Sequence, residues 1–142
     1  MTKLPSHAPT YVLDACALIA FLQREPGAEQ VDLILADTSY QCAAHAINLC
    51  EVYYDLLRTN SAKVAAQAID DLLMAGVQVR DDVDIAFWQQ AGNYKVDPGK
   101  LSLADCFALS LAIRMEATLV TSDRREFERI VEFGLCPIYF IR

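Results

Sequence analysis

The sequence predicts a three-layer α/β/α protein with a central, mostly parallel sheet of about four or five short strands. Short β-branched and aromatic runs alternate with helical runs of ten or more residues. Within the longer runs, apolar residues recur at helical spacing. The composition, 54% hydrophobic with only 5 Gly and 5 Pro, is that of a compact chain. At 142 residues the simplest organisation is a tail over residues 1–9 and one domain over residues 10–142.

Taken in order, "TYVLD" (10–14) reads as the first strand, and "ACALIAFLQRE" follows as a helix. "GAEQVDLILAD" (27–37) places Val31, Ile34 and Leu35 on one helical face. "SYQCAA" is a short strand leading into the long helix "HAINLCEVYYDLLRTN" (45–60). "SAKVAAQAIDDLLMAG" (61–76) aligns Val64, Ala68, Leu72 and Ala75, with Gly76 as its stop. "VQVR" is strand-like, and "DVDIAFWQQAGNY" is a helix that fades near "DPGK". The helical run "SLADCFALSLAIRMEA", the strand "TLVT" (118–121), the helix "DRREFERIVEF" and the strand "CPIYFI" (136–141) complete the chain. In a parallel sheet, ligands bind outside the carboxyl ends of the strands. Asp14 ends the first strand and Asp123 lies two residues past "TLVT", so both belong at that edge.

Several function classes are excluded or disfavoured. No apolar stretch approaches the roughly 18 to 20 residues of a membrane span. "MTKLPSHAPT" lacks the apolar core of a signal peptide, which implies a cytoplasmic protein. Five cysteines without a C-x-x-C pair, each among apolar neighbours, suit small core residues in a reducing compartment. Twelve basic against 19 acidic residues give a net charge of −7, which argues against tight nonspecific binding of nucleic acid.

Four carboxylates stand out. Asp105 lies inside the apolar run "LSLADCFALSLA" (101–112), where an unpartnered charge costs several kcal/mol. Ser102 precedes it in a capping-box pattern, and Asp14 and Asp123 also suit helix N-caps. Glu51 is mid-helix, with Asn48 at i−3 and no Lys or Arg at i±3 or i±4. As a set, four carboxylates at one edge would raise one another's pKa. A divalent cation removes that conflict, and hard Mg²⁺ or Mn²⁺ prefers oxygen ligands. A carboxylate-only site therefore points to phosphodiester hydrolysis.

"YVLDACALIAFL", "HAINLCEVYYDL", "LSLADCFALSLA" and "TLVTSDRREF" resemble, in order and spacing, the four acidic motifs of the PIN domain. The likeness is closest to VapC-type toxins of prokaryotic toxin–antitoxin pairs, and it runs from about residue 10 to 141. It implies a PIN-like fold and an Mg²⁺- or Mn²⁺-dependent endoribonuclease that uses Asp14, Glu51, Asp105 and Asp123. Asp14 and Asp105 would be the most direct metal ligands, with Glu51 and Asp123 completing the site and orienting water. Thr121, Ser122 and Asn48 would support it. Cys16 departs from the small hydroxyl residue common in the family, and a thiol is a weaker hydrogen-bond partner. The resemblance also implies an RNA substrate, an antitoxin protein and a homodimer, with "VAAQAIDDLLMA" as a candidate surface. Lys95, Lys100, Arg114, Arg124 and Arg125 flank the last two motifs as candidate phosphate contacts or as plain solvated surface.

Competing readings are weaker. Cys42, His45 and Cys50 lack a fourth zinc ligand, and nothing in the sequence brings Cys16 to His45 as a nucleophile and base. A haloacid-dehalogenase-type phosphotransferase wants an Asp where Cys16 stands, and no G-x-x-x-x-G-K loop is present. "DDVD" (81–84) reads as a solvated turn before a helix. The alternative of another class is a catalytically silent PIN-like module that binds a partner or RNA.

Overall fold

A computed structural model describes residues 9–142. Of the tail expected over residues 1–9, all but Pro9 lies outside the described residues. Pro9 itself already joins the sheet, its carbonyl accepting from the Gln41 amide at 3.0 Å.

The elements run β1 (Thr10–Leu13), α1 (Ala15–Gln23), α2 (Ala28–Ala36), β2 (Gln41–His45), α3 (Ala46–Thr59), α4 (Ala62–Met74), β3 (Val77–Arg80) and α5 (Ile85–Tyr94). A π-helical turn over Lys95–Gly99 leads to α6 (Leu103–Arg114), then β4 (Thr118–Thr121), α7 (Arg124–Val131) and β5 (Ile138–Phe140). The five strands lie in the order β3-β2-β1-β4-β5, and every pairing is parallel. The mostly parallel expectation is therefore met in full. Strand order reverses direction at β1, which pairs with β2 on one side and β4 on the other. The crevice at the carboxyl ends of β1 and β4 is the switch point where such sheets bind ligands.

The alternation of side chains along each strand builds the layers. Leu13 and Val120 face a core shared with α1, α2, α3 and α4, through residues such as Leu18, Val31, Val52 and Leu72. Val12 and Leu119 face the opposite core with α5, α6 and α7, through Phe87, Leu109 and Phe127. Helix α6 is buried around much of its girth, including Asp105, Cys106, Leu109 and Ala112, which explains its unbroken apolar sequence.

Several boundaries and surfaces differ from expectation. β2 begins at Gln41, because Asp37 closes a turn ahead of it by accepting from the amide and hydroxyl of Ser39. In α4, Ala65, Ala68 and Leu72 pack into the chain's own core, leaving Val64, Leu73 and Met74 as its exposed large apolar residues. "DDVD" is solvated at Asp81, Val83 and Asp84, but not at Asp82. Asp82 has only 11% of its side chain exposed and is bound by both Arg80 and Arg114, while Asp84 also holds Arg114. The Arg80 hydrogen bonds, then those of Arg114, hold the Asp82 carboxyl down at about 2 against the opposing effect of burial. The cysteines are all free, and Cys50 is exposed, contrary to the core role expected of it.

Gly27 shows how tightly the C-terminal strand is seated. It adopts φ +97 at the start of α2, and a Cβ there would lie 2.7 Å from the Ile141 carbonyl oxygen. Both the left-handed backbone and the close approach require glycine. Gly27→Ala is expected to cost about 1–3 kcal/mol, read as a lower urea midpoint with an unchanged m-value.

Candidate metal centre

Each predicted acid is held by local structure before any ligand enters. Asp14 is fully buried directly after β1, and its amide donates to the Val120 carbonyl of β4 at 3.1 Å. Its Oδ1 caps α1 by accepting from the Ala17 amide at 2.9 Å, while Oδ2 is buried with no hydrogen-bond partner. Asp105 is buried in the first turn of α6, whose N-cap Ser102 accepts from the Asp105 amide at 3.1 Å. Asp123 caps α7 by accepting from the Glu126 amide at 3.0 Å. The Asp123 amide in turn donates to Thr121 Oγ1 at 3.0 Å. The Asp14 and Asp123 caps form as read, and of the Ser102–Asp105 capping box the structure shows the half in which Ser102 Oγ accepts from the Asp105 amide.

The four acids act on one another's charge. Burial pushes Asp14 up to about 7, opposed by the neighbouring Thr121 hydroxyl and the Ala17 amide, with Asp105 and Asp123 adding to the rise. Burial likewise raises Asp105 to about 7; Ser102 opposes it, and Glu126, Glu51 and Asp123 reinforce it. Glu51, half-buried on α3, is raised by burial and then by Asp55, against a contact from Tyr54. The half-buried Cys16 thiol is pushed up to about 12, first by burial and then by Asp14, Asp105, Asp123 and Glu51. It therefore sits in the field of all four acids, which marks their common ground.

Sequence reasoning missed Glu126. Carboxylate oxygens of Asp105, Asp123 and Glu126 lie within 4.8 Å of one another, and Glu126 Oε2 is buried without a partner. The available signal was the D-x-x-E spacing of Asp123 and Glu126, which puts both on one face of a helix's first turn. No Lys or Arg among the described residues pairs with Asp14, Glu51, Asp105, Asp123 or Glu126. Two orphaned buried carboxylate oxygens and three close carboxylates fit a hard divalent cation, which offers the missing positive charge to oxygen ligands alone.

The supporting residues divide. Thr121 is fully buried and links Asp123 to the Asp14 side of the site. Asn48, fully buried one turn before Glu51, bonds neither of its amide atoms among the described residues. Ser122 is half-buried and makes no hydrogen bond among the described residues. The rival Cys/His readings fall away. Nδ1 of His45 accepts from the Ile47 amide at 3.1 Å, so Nε2 donates to the Asp82 carbonyl at 2.9 Å. Both ring nitrogens are committed to backbone, which leaves none for zinc or for Cys16. Arg114 is likewise no phosphate contact. It ends α6, at the far end from Asp105, and is held by Asp82 and Asp84 over the Phe87 ring.

Fold and site together define a parallel α/β protein with an acidic centre at its topological switch point. The PIN domain family matches residues 11–132, and the chain belongs to it. Solved structures similar to the chain include the DNA-bound VapBC from Salmonella typhimurium, with a TM-score of 0.73 and 20% identity over 94% of this chain and 99% of that one. VapBC2 from Rickettsia felis, bound to a DNA fragment from its promoter, gives 0.71 and 18% over 92% and 98%. VapBC-1 from nontypeable Haemophilus influenzae gives 0.67 and 20% over 93% and 98%. No curated protein sequence matches the chain.

The raised carboxyls carry a signed pH dependence. A folded-state pKa above the unfolded value of about 3.9 means that the native state binds more protons in between. Native stability is then greatest below pH 4 for these two groups and is lost as pH rises through about 7. The metal-free thermal midpoint should therefore fall from pH 5 to pH 8, by an amount equivalent to several kcal/mol. Mg²⁺ or Mn²⁺ should recover it at pH 8. Asp14→Asn keeps the helix cap and should flatten the pH profile in a differential scanning experiment.

Proposed function

We propose that the chain is a divalent-cation-dependent endoribonuclease of the cytoplasm and the toxin of a toxin–antitoxin pair. One observation carries the catalytic reading: carboxylate oxygens of Asp105, Asp123 and Glu126 lie within 4.8 Å of one another, Asp14 and Glu51 act on the same group, and among the described residues no Lys or Arg pairs with any of them. The family is one of nucleases, and the similar structures named VapBC support an antitoxin partner.

Asp14, Asp105, Asp123, Glu126 and Glu51 would hold Mg²⁺ or Mn²⁺. Such a cation supplies charge neutralisation at the phosphoryl group and lowers the pKa of water. The chain's own residues set the geometry. Asp14 is fixed by its bond to the Ala17 amide, and Asp123 by its bond to the Glu126 amide. Thr121 accepts from the Asp123 amide, and its hydroxyl also acts on the Asp14 carboxyl. Glu51 is half-buried, and its raised pKa suits a role in orienting the attacking water and accepting its proton at Oε1 or Oε2. The Cys16 thiol is held protonated, first by burial and then by its acidic neighbours, which disfavours a covalent route through it. Among the described residues no helix is long and apolar enough to cross a membrane. A second copy of the chain would use the part of α4 that its own core leaves free, Val64, Leu73 and Met74.

The test is incubation of purified protein with a mixed cellular RNA pool, in Mg²⁺, in Mn²⁺ and in EDTA. Discrete cuts should appear only with metal. Asp14→Ala and Asp105→Asn should slow them at least about 100-fold, or roughly 2.7 kcal/mol of transition-state stabilisation. Glu126→Gln should slow them at least about 10-fold, and Asp105→Asn should leave the metal-free protein as stable as wild type or slightly more so. A folded protein that binds RNA but never cuts it would favour the silent binding module.

A further inference from the structure

The basic residues beside the acidic centre are not equivalent, and hydrogen bonding sorts them. Arg114 is consumed by Asp82 and Asp84. Arg124 donates to the Arg142 carbonyl at 2.7 Å, pairs with Glu128 and lies over Phe140. Lys95 donates to the Leu101 carbonyl at 2.7 Å. Arg129 donates to the carbonyls of Pro98 and Gly99. Among the described residues, this leaves Lys63, Lys100 and Arg125 as basic side chains with no hydrogen bond, ion pair or ring partner. Lys63 lies on α4, which carries none of the acids.

Lys100 and Arg125 lie on the two segments that bring Asp105, Asp123 and Glu126 together. Lys100 precedes Ser102, the cap of α6, and Arg125 lies between Asp123 and Glu126 in the first turn of α7. Both are exposed, yet neither pairs with the carboxylates beside it. The backbone at Lys100 is also held with unusual care. Arg129 fixes the carbonyl on one side of it and Lys95 the carbonyl on the other. Between these anchors Lys100 adopts a left-handed φ of 64, a conformation costly for a residue with a Cβ. Two basic side chains thus serve to hold a third in place, and that third is left free.

We propose that Lys100 and Arg125 form a two-point phosphate clamp at the rim of the acidic centre. They hold the backbone of a single-stranded RNA while its reacting phosphate faces Asp105, Asp123 and Glu126. Negative charge in the floor and positive charge at the rim suit a polyanion that meets a bound cation. The rim also gives an acidic protein, with a net charge of −7, a local hold on RNA. Because the contacts are to phosphates, they give affinity and register without base preference. The clamp rests on the nuclease reading above, and its test separates the two.

The experiment measures binding of a fluorescein-labelled, mixed-sequence single-stranded RNA across a salt series with Mg²⁺ present, in the Asp105→Asn background that keeps the RNA whole. Lys100→Ala and Arg125→Ala should each weaken binding about five- to ten-fold. Each should also lower the slope of log Kd against log salt by roughly 0.7, the value for one phosphate contact on a single strand. Arg125→Lys should retain the slope, and Lys63→Ala should change neither quantity. Unchanged slopes in both alanine variants, or no RNA binding by the parent protein, would overturn the clamp. Cleavage by protein with Asp105 intact is scored separately on the same RNA. RNA binding that depends on both residues without any cleavage would sink the nuclease reading and leave the clamp standing.

Discussion

The structure turns on buried negative charge that the chain declines to neutralise. The carboxyl edge of one sheet offers a direct comparison. Past the end of β3, Asp82 is largely buried, and two arginines hold it ionised at about 2. Past the ends of β1 and β4, Asp14 and Asp123 lie with Asp105 and Glu126, none of them paired with a Lys or Arg among the described residues, and burial lifts Asp14 and Asp105 to about 7. Breaking a buried ion pair costs several kcal/mol, so pairing Asp82 while leaving Asp14 without a cationic partner is what the proposed cation site would require. That asymmetry within a single sheet edge is stronger evidence than the acidic cluster by itself.

The acids are tolerated because secondary structure shares them. Asp14 and Asp123 each give one oxygen to a helix cap and leave the other for the site. Asp105 is anchored through its amide, which donates to Ser102 Oγ. Thr121 connects the first and fourth motifs without contributing charge. His45 caps α3 through Nδ1 and thereby fixes the start of the helix that carries Asn48 and Glu51. Each device fixes a backbone position, so ligand entry would require little rearrangement of the framework.

Much of this was legible in the sequence because strands of a parallel α/β fold are short and helices are periodic. "TYVLD" and "TLVTSD" placed Asp14 and Asp123 at the same edge, and both motifs stand there. Asp105 was legible from its apolar surroundings, which are those of a helix buried between layers. Glu126 was not, because "DRREFERIVEF" reads as an ordinary amphipathic helix whose charges face water. Only the tertiary fold brings its carboxylate within 4.8 Å of those of Asp105 and Asp123. The fate of the basic residues was also hidden. Arg114 and Arg125 are equally plausible phosphate contacts by position, but Arg114 answers to Asp82 and Asp84, some 30 residues earlier in the chain. Long-range pairing of that kind leaves no local pattern. The same holds for α4, offered as a candidate dimer surface, whose apolar stripe mostly closes the monomer core.

The most direct test of the central claim is anomalous scattering from crystals of the protein soaked in Mn²⁺ at pH 8. The account predicts an anomalous peak among the carboxylates of Asp14, Asp105, Asp123 and Glu126, and no such peak in Asp105→Asn crystals. Well-ordered crystals in which those carboxylates remain metal-free at saturating Mn²⁺, or in which the peak lies elsewhere on the chain, would contradict it.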